Sequence, residues 1–285
     1  MDVLTGRGPY DVAPGLTRFA GDDDFALFPY VKEYTEDPNP RVVRRAHSMM
    51  FTILENSTDP SERQTIIGEM IDDVADANNA GDRGRILGRL ADFARTSDFT
   101  DHSKEILREL VAVHSWRELV LVVGVAAMKS ELPRLQAIID DLEGKLKQQY
   151  QPPSPREGSY WEGSVLWAAL RARARLGVTE DIQRCIDMVE AHPDPGYRGG
   201  WLLRELSYVR QPEVVAYLSE YLQTNQPLPW AGDDAIVGTY AQRAASALAW
   251  MLEDFPTKPG RSIGQRDIET IRKWMAERTE WRIIR

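Results

Sequence analysis

The sequence predicts an all-α protein built as a solenoid of antiparallel helical hairpins. Three observations lead there. Apolar residues recur at helical spacing along most of the chain, and no stretch alternates β-branched residues as a strand would. Turn signals return near Asp59, Ser97, Ser130, Thr179, Gln211 and Pro256. Their spacing of roughly 32 to 49 residues fits two-helix repeats, which occupy about 33–47 residues each.

Residues 1–21 hold Gly6, Gly8, Pro9, Pro14 and Gly15, a density of breakers that predicts an irregular N-terminal arm. The remainder, 22–285, is expected to form one solenoid domain of roughly six hairpins. Asp59-Pro60-Ser61-Glu62 opens a helix, with Asp59 as cap, Pro60 in the first turn and Glu62 favoured by the dipole. Ile66, Ile67, Met70, Ile71, Val74 and Ala77 then share one face, and Glu69, Asp72, Asp73 and Asp76 the other.

The same grammar pairs 85–95 with 103–113, 116–128 with 132–146, and 160–176 with 179–190, where Gly177 is a C-terminal cap. It then pairs 201–209 with 213–222 and 235–253 with 266–281. The run Leu119–Met128 is the longest apolar stretch; it is too short to span a bilayer and suits a helix buried on most sides. Pro-rich insertions fall at 151–158 and 226–232. Gly158-Ser159-Tyr160 and Gly238-Thr239-Tyr240 follow them, about 80 residues apart, or two repeats of about 40.

Asp37-Pro38-Asn39-Pro40-Arg41-Val42-Val43-Arg44-Arg45-Ala46 resembles the signature of the HEAT-repeat (HEAT/armadillo-like) family, roughly Asp-Pro-x-Pro-x-Val-Arg-x-x-Ala. One extra residue separates the proline from the Val-Arg pair, and Gln211-Pro212-Glu213-Val214-Val215 is a fainter echo. In this pattern Pro40 sets the helix start, and Val43 and Ala46 face the core. The resemblance implies an α-α superhelix whose concave face binds peptides or folded proteins. It also admits an enzyme, since alkylpurine DNA glycosylases and phycobilin lyases are built on HEAT-like scaffolds.

Composition narrows the function classes. With 35 Lys+Arg against 44 Asp+Glu, the net charge is -9, which disfavours a general nucleic-acid binder and favours a basic protein partner. The segment 258–285 is basic within this acidic chain, which fits helix-end complementation or a local anion site. Arg171, Arg173 and Arg175 alternate along one helix and read as a solvated flank. Cys185 is the only cysteine, so neither an internal disulfide nor a cysteine-based zinc site can form, and its position in an apolar helix face suits burial. The four histidines have no helical pairing for a metal, and no nucleophile elbow or phosphate-binding glycine loop is present. No cofactor is expected. With no apolar signal segment at its start, a cytoplasmic protein is the simplest reading.

Aromatic residues carry the binding expectation. Among 8 Trp and 10 Tyr, the candidates are Tyr160, Trp161, Trp201, Tyr208, Tyr217, Tyr221 and Trp230. Such side chains bury much area while keeping a polar atom, so they anchor interfaces as readily as cores. The expected function is a non-enzymatic scaffold or adaptor. The stripe Glu69, Asp72, Asp73 and Asp76 faces a basic partner; one specific form is an immunity-type inhibitor of a basic toxin.

Overall fold

A computed structural model describes residues 24–76, 80–146, 160–229, 238–278 and 280–284. These residues are all-α: helices and short helical turns, no strand, and two isolated bridges, Pro227 with Thr239 and Leu252 with Ile283. Among them no helix is long and apolar enough to cross a membrane. Contacts divide the chain into two compact units, Met1–His114 and Ser115–Arg285. The expected N-terminal arm, the insertion at 151–158 and the tryptophan of the second insertion, Trp230, lie outside the described residues.

The first unit carries α1 (Phe28–Lys32), α2 (Pro40–Asn56), α3 (Pro60–Asp76), α4 (Ala80–Phe93) and α5 (Asp101–Val113). Pro40 does open α2, with Asn39 as its cap: the Asn39 side chain accepts the Arg41 amide at 3.0 Å. The core-facing residues of that segment are Val42 and Ala46, while Val43 is only half-buried. The inserted residue accounts for this, since one extra position turns the buried stripe by about 100°. Asp59 accepts the Ser61 amide at 2.7 Å at the start of α3. Helix α3 lies against α2, α4 and α5, and Ile66, Ile67, Met70, Ile71 and Val74 are fully buried. Ala77 lies outside the described residues.

A buried ion pair joins these helices. Arg63 on α3 meets Asp98 in a fork, Nη2 to Oδ2 at 2.7 Å and Nε to both oxygens at 3.1 Å. Its remaining donors reach the carbonyls of Leu54, Ser57 and Phe93. Asp98 also accepts the Arg95 amide at 2.8 Å. Both side chains are out of solvent, so the chain satisfies a charge pair that would otherwise be costly to bury.

The second unit carries α6 (Arg117–Val125), α7 (Leu132–Leu146), α8 (Tyr160–Arg175) and α9 (Thr179–Glu190). It continues through α10 (Pro195–Tyr197), a π-helical turn (Arg198–Leu202), α11 (Leu203–Leu206), α12 (Pro212–Tyr221), α13 (Tyr240–Ala249) and α14 (Gln265–Ala276). Helix α6 is buried from Leu119 through Val125, as its unbroken apolar run predicts. Helix α8 packs against α6, α7 and α9. It ends in a Schellman cap: Gly177, at φ +91°, donates to Ala174, and Val178 donates to Arg173.

The arginines of α8 are not a solvated flank. Arg171 is 3% exposed, Arg173 pairs with Asp181 at 2.6 Å, and Arg175 is half-buried. A helix enclosed on three sides has no outer face for them, so each finds a partner inside. The expected helix at 201–209 is instead a π-turn, one short α-helical turn and a 3-10 turn. Helix α14 stops at Ala276, and the following segment folds back: Glu253 donates to the Arg282 carbonyl at 2.9 Å and Ile284 to that of Met251 at 2.8 Å.

Candidate functional site

The aromatic residues expected to bind fall into distinct settings within the second unit. Tyr160 and Trp161 begin α8, but their side chains are outside the described residues. Tyr208 follows α11 in a 3-10 turn, and its hydroxyl donates to the Leu121 carbonyl of α6. Burial pushes that hydroxyl up to about 12. Tyr217 and Tyr221 stand one turn apart on α12, with hydroxyls 3.2 Å apart and rings edge to face. Tyr217 is buried; burial, followed by the Tyr221 hydrogen bond, raises its pKa well above the usual phenol range.

Trp201 differs. It keeps 50% of its surface exposed, and among the described residues of this unit no other large apolar side chain is so open. It sits on the π-turn, and that turn is held from behind. Gly199 faces Leu228 and the Tyr240 ring so closely that a Cβ there would overlap both. Gly196 is pressed in the same way against the Pro229 carbonyl. The Tyr240 hydroxyl donates to the Pro195 carbonyl at 2.9 Å, and its ring stacks on Tyr221 at 5.6 Å. Asp194 caps the approach by accepting the Gly196 and Tyr197 amides. The glycines allow close backbone packing, and the packing fixes the direction in which Trp201 leaves the surface.

One side chain that sequence reasoning missed organises the adjoining interior. Glu205, on α11, accepts the Trp167 indole N–H at 2.6 Å and the Arg117 guanidinium at 3.1 Å. Arg171 donates to the Glu205 carbonyl at 2.9 Å, and its Nη2 lies 3.7 Å from the carboxylate. The Arg171 guanidinium also lies over the rings of Trp167 and Tyr208, at 5.1 and 5.6 Å. Arg175 lies over the Tyr208 ring at 5.0 Å and donates to the Tyr208 carbonyl at 2.8 Å. This network fixes α11 to α8, and so fixes the base of the turn that carries Trp201. The separation between Arg117 and Glu205 in sequence left no local signal to find it by.

No family model matches this chain, and no curated protein or solved structure matches it.

The acidic stripe on α3 belongs to the first unit. Asp73 meets His47 at 2.9 Å, Asp72 meets His102 at 3.5 Å, and Glu69 meets Lys32. Asp76 is exposed with no ion pair among the described residues. Three of the four carboxylates therefore already have side-chain partners in their own unit. Cys185 is fully buried on α9, and burial pushes its thiol up to about 12, which leaves almost no thiolate at neutral pH. Among the described residues no three His, Cys, Asp or Glu side chains are grouped to hold a metal ion.

Proposed function

We propose that this chain is a non-enzymatic protein-binding module of HEAT-like stacked hairpins that engages its partner through the second unit, with Trp201 as anchor. The observation that carries the reading is the combination at Trp201: half its surface is open, and the turn beneath it is rigidly packed. An exposed indole on a stiff base loses little entropy on docking, and such residues dominate interface energies. A basic partner is favoured by the overall charge, with Asp76 the exposed stripe carboxylate that has no ion pair among the described residues. The HEAT-like signature at 37–46 supports the repeat architecture, because its proline and alanine occupy the positions that open and pack a repeat helix.

The test is a photo-crosslinking residue placed at Trp201, with the same residue at Val113 of the first unit as control, since Val113 is also exposed. The expected outcome is a discrete crosslinked species from position 201 in extract of the source cell and none from position 113. Equal yields from both positions, or none from 201, would contradict the reading.

A further inference from the structure

We propose that a cleft in the second unit binds a small polyanion, a molecule presenting clustered phosphoryl or carboxylate oxygens, through Arg204, Arg243 and Arg261. This goes beyond protein binding and stands or falls independently of it. The cleft measures about 580 Å³, within the size range of small-molecule sites. It lies wholly in the second unit, between α11, α13 and the loop that leads into α14.

The lining has one sign of charge. It contains three arginines and no carboxylate among the described residues, in a chain whose net charge is -9. Arg204 follows Trp201 by one turn, is exposed, and has no ion pair among the described residues. Arg261 lies 4.0 Å from Asp267, at the limit of an ion pair, and remains largely open. Ser246 and Ser262 add hydroxyl donors, and Trp250 and Ile263 supply an apolar wall. Guanidinium groups match phosphate and carboxylate in a planar fork, so a cleft lined by three arginines suits an oxyanion better than a neutral ligand.

The frame is built in advance. Helix α13 begins with a capping box: Gln242 Oε1 accepts the Thr239 amide at 2.8 Å and the Thr239 hydroxyl accepts the Gln242 amide at 3.3 Å. The other end of that same Gln242 amide donates to the Ile263 carbonyl at 2.7 Å, which fastens the loop carrying Arg261 to the helix carrying Arg243. The far face of α13 is packed alanine, from Ala241 through Ala249. The segments carrying two of the arginines are thus tied together by a single side chain, and the third arrives on α11, which packs on α13.

The experiment is calorimetric titration of the full chain with inorganic pyrophosphate, citrate and hexaglutamate. At about 0.01 M ionic strength the screening length is about 30 Å, and at about 0.15 M it is about 8 Å. The expected result is single-site binding of pyrophosphate or citrate that weakens with salt, the tighter of the two identifying the oxyanion. Arg204→Gln and Arg261→Gln should each weaken it about tenfold or more, the equivalent of one lost charged hydrogen bond, and Arg108→Gln on α5 should change nothing. Pyrophosphate should also protect Arg204 and Arg261 from phenylglyoxal in the unaltered chain, a readout that does not depend on a variant folding. Absence of binding by both small anions, equal binding by the arginine variants, or binding of hexaglutamate alone would overturn the proposal.

Discussion

The two units treat buried charge differently. In the first, Arg63 and Asp98 are sealed together: every donor of the guanidinium has an acceptor, and the pair joins the ends of three segments. In the second, Glu205 gathers Arg117, Arg171 and Trp167 but keeps part of its carboxylate toward solvent, and Arg171 Nη2 has no hydrogen-bond partner among the described residues. The first arrangement only holds helices together. The second holds α11, and α11 positions both Trp201 and Arg204 at the surface. A saturated network ends in the core, whereas an open one conveys order outward to side chains that a ligand can reach.

Three substitutions or conditions would break or sharpen this contrast. The largest effect is expected at Asp98→Ala, which strands a buried guanidinium; urea unfolding should show a loss of about 3–5 kcal/mol. A loss under 1 kcal/mol would mean that the first unit relaxes around the charge. Next is Trp167→Phe, which removes the indole donor to Glu205; a loss of roughly 1.5–3 kcal/mol is expected for a hydrogen bond to a charged group. Because it acts through α11, it should also loosen amide protection in Leu203–Leu206, and unaltered protection there would detach the network from the surface.

The third contrast is alkaline stability. Cys185 and Tyr208 both belong to the second unit, and burial raises them from ordinary values of 9.0 and 10.0 to about 12. Both are acids that the folded chain keeps protonated longer than the unfolded chain. Their contribution is therefore complete below the ordinary values and is lost as pH climbs through about 12. Stability should fall across that window, with absorbance near 295 nm showing a delayed class of tyrosines. A single tyrosine titration near the ordinary value, with the fold intact, would contradict the burial of Tyr208.

Much of the fold is legible in the sequence, and the reasons are local. Helices α7 and α9 have the limits their periodicity predicts, and Asp59, Gly177 and Pro40 act as caps or helix starts because capping depends on neighbours a few residues away. The buried run of α6 follows from its composition. What escapes sequence reading depends on distant partners. The arginines of α8 look like a wet flank until three helices close around them. The π-turn arises because Gly196 and Gly199 are pressed against Leu228, Pro229 and Tyr240, which lie well downstream. The expected start of the last hairpin, Ala235, lies outside the described residues; among those described, the helix opens at Tyr240, where Thr239 and Gln242 form the capping box.

The candidate site was legible in part. Trp201, Tyr208, Tyr217 and Tyr221 all belong to the second unit, but their settings differ: Tyr217 joins the core, Tyr208 bonds a backbone carbonyl, and Trp201 keeps its surface. The basic character of the last segment was visible and supplies Arg261. Arg204 and Arg243 gave no signal, since nothing along the chain says that α11 and α13 meet.

The most direct measurement compares the two regions side by side, as affinities of the partner crosslinked at position 201 for three chains: unaltered, Trp201→Ala and Asp76→Ala. The expected result is at least a tenfold loss for Trp201→Ala, roughly the 1.4 kcal/mol or more of an anchor residue, with an unchanged melting temperature and a smaller change for Asp76→Ala. Full affinity in Trp201→Ala together with a large loss in Asp76→Ala would move recognition to the first unit and contradict the account.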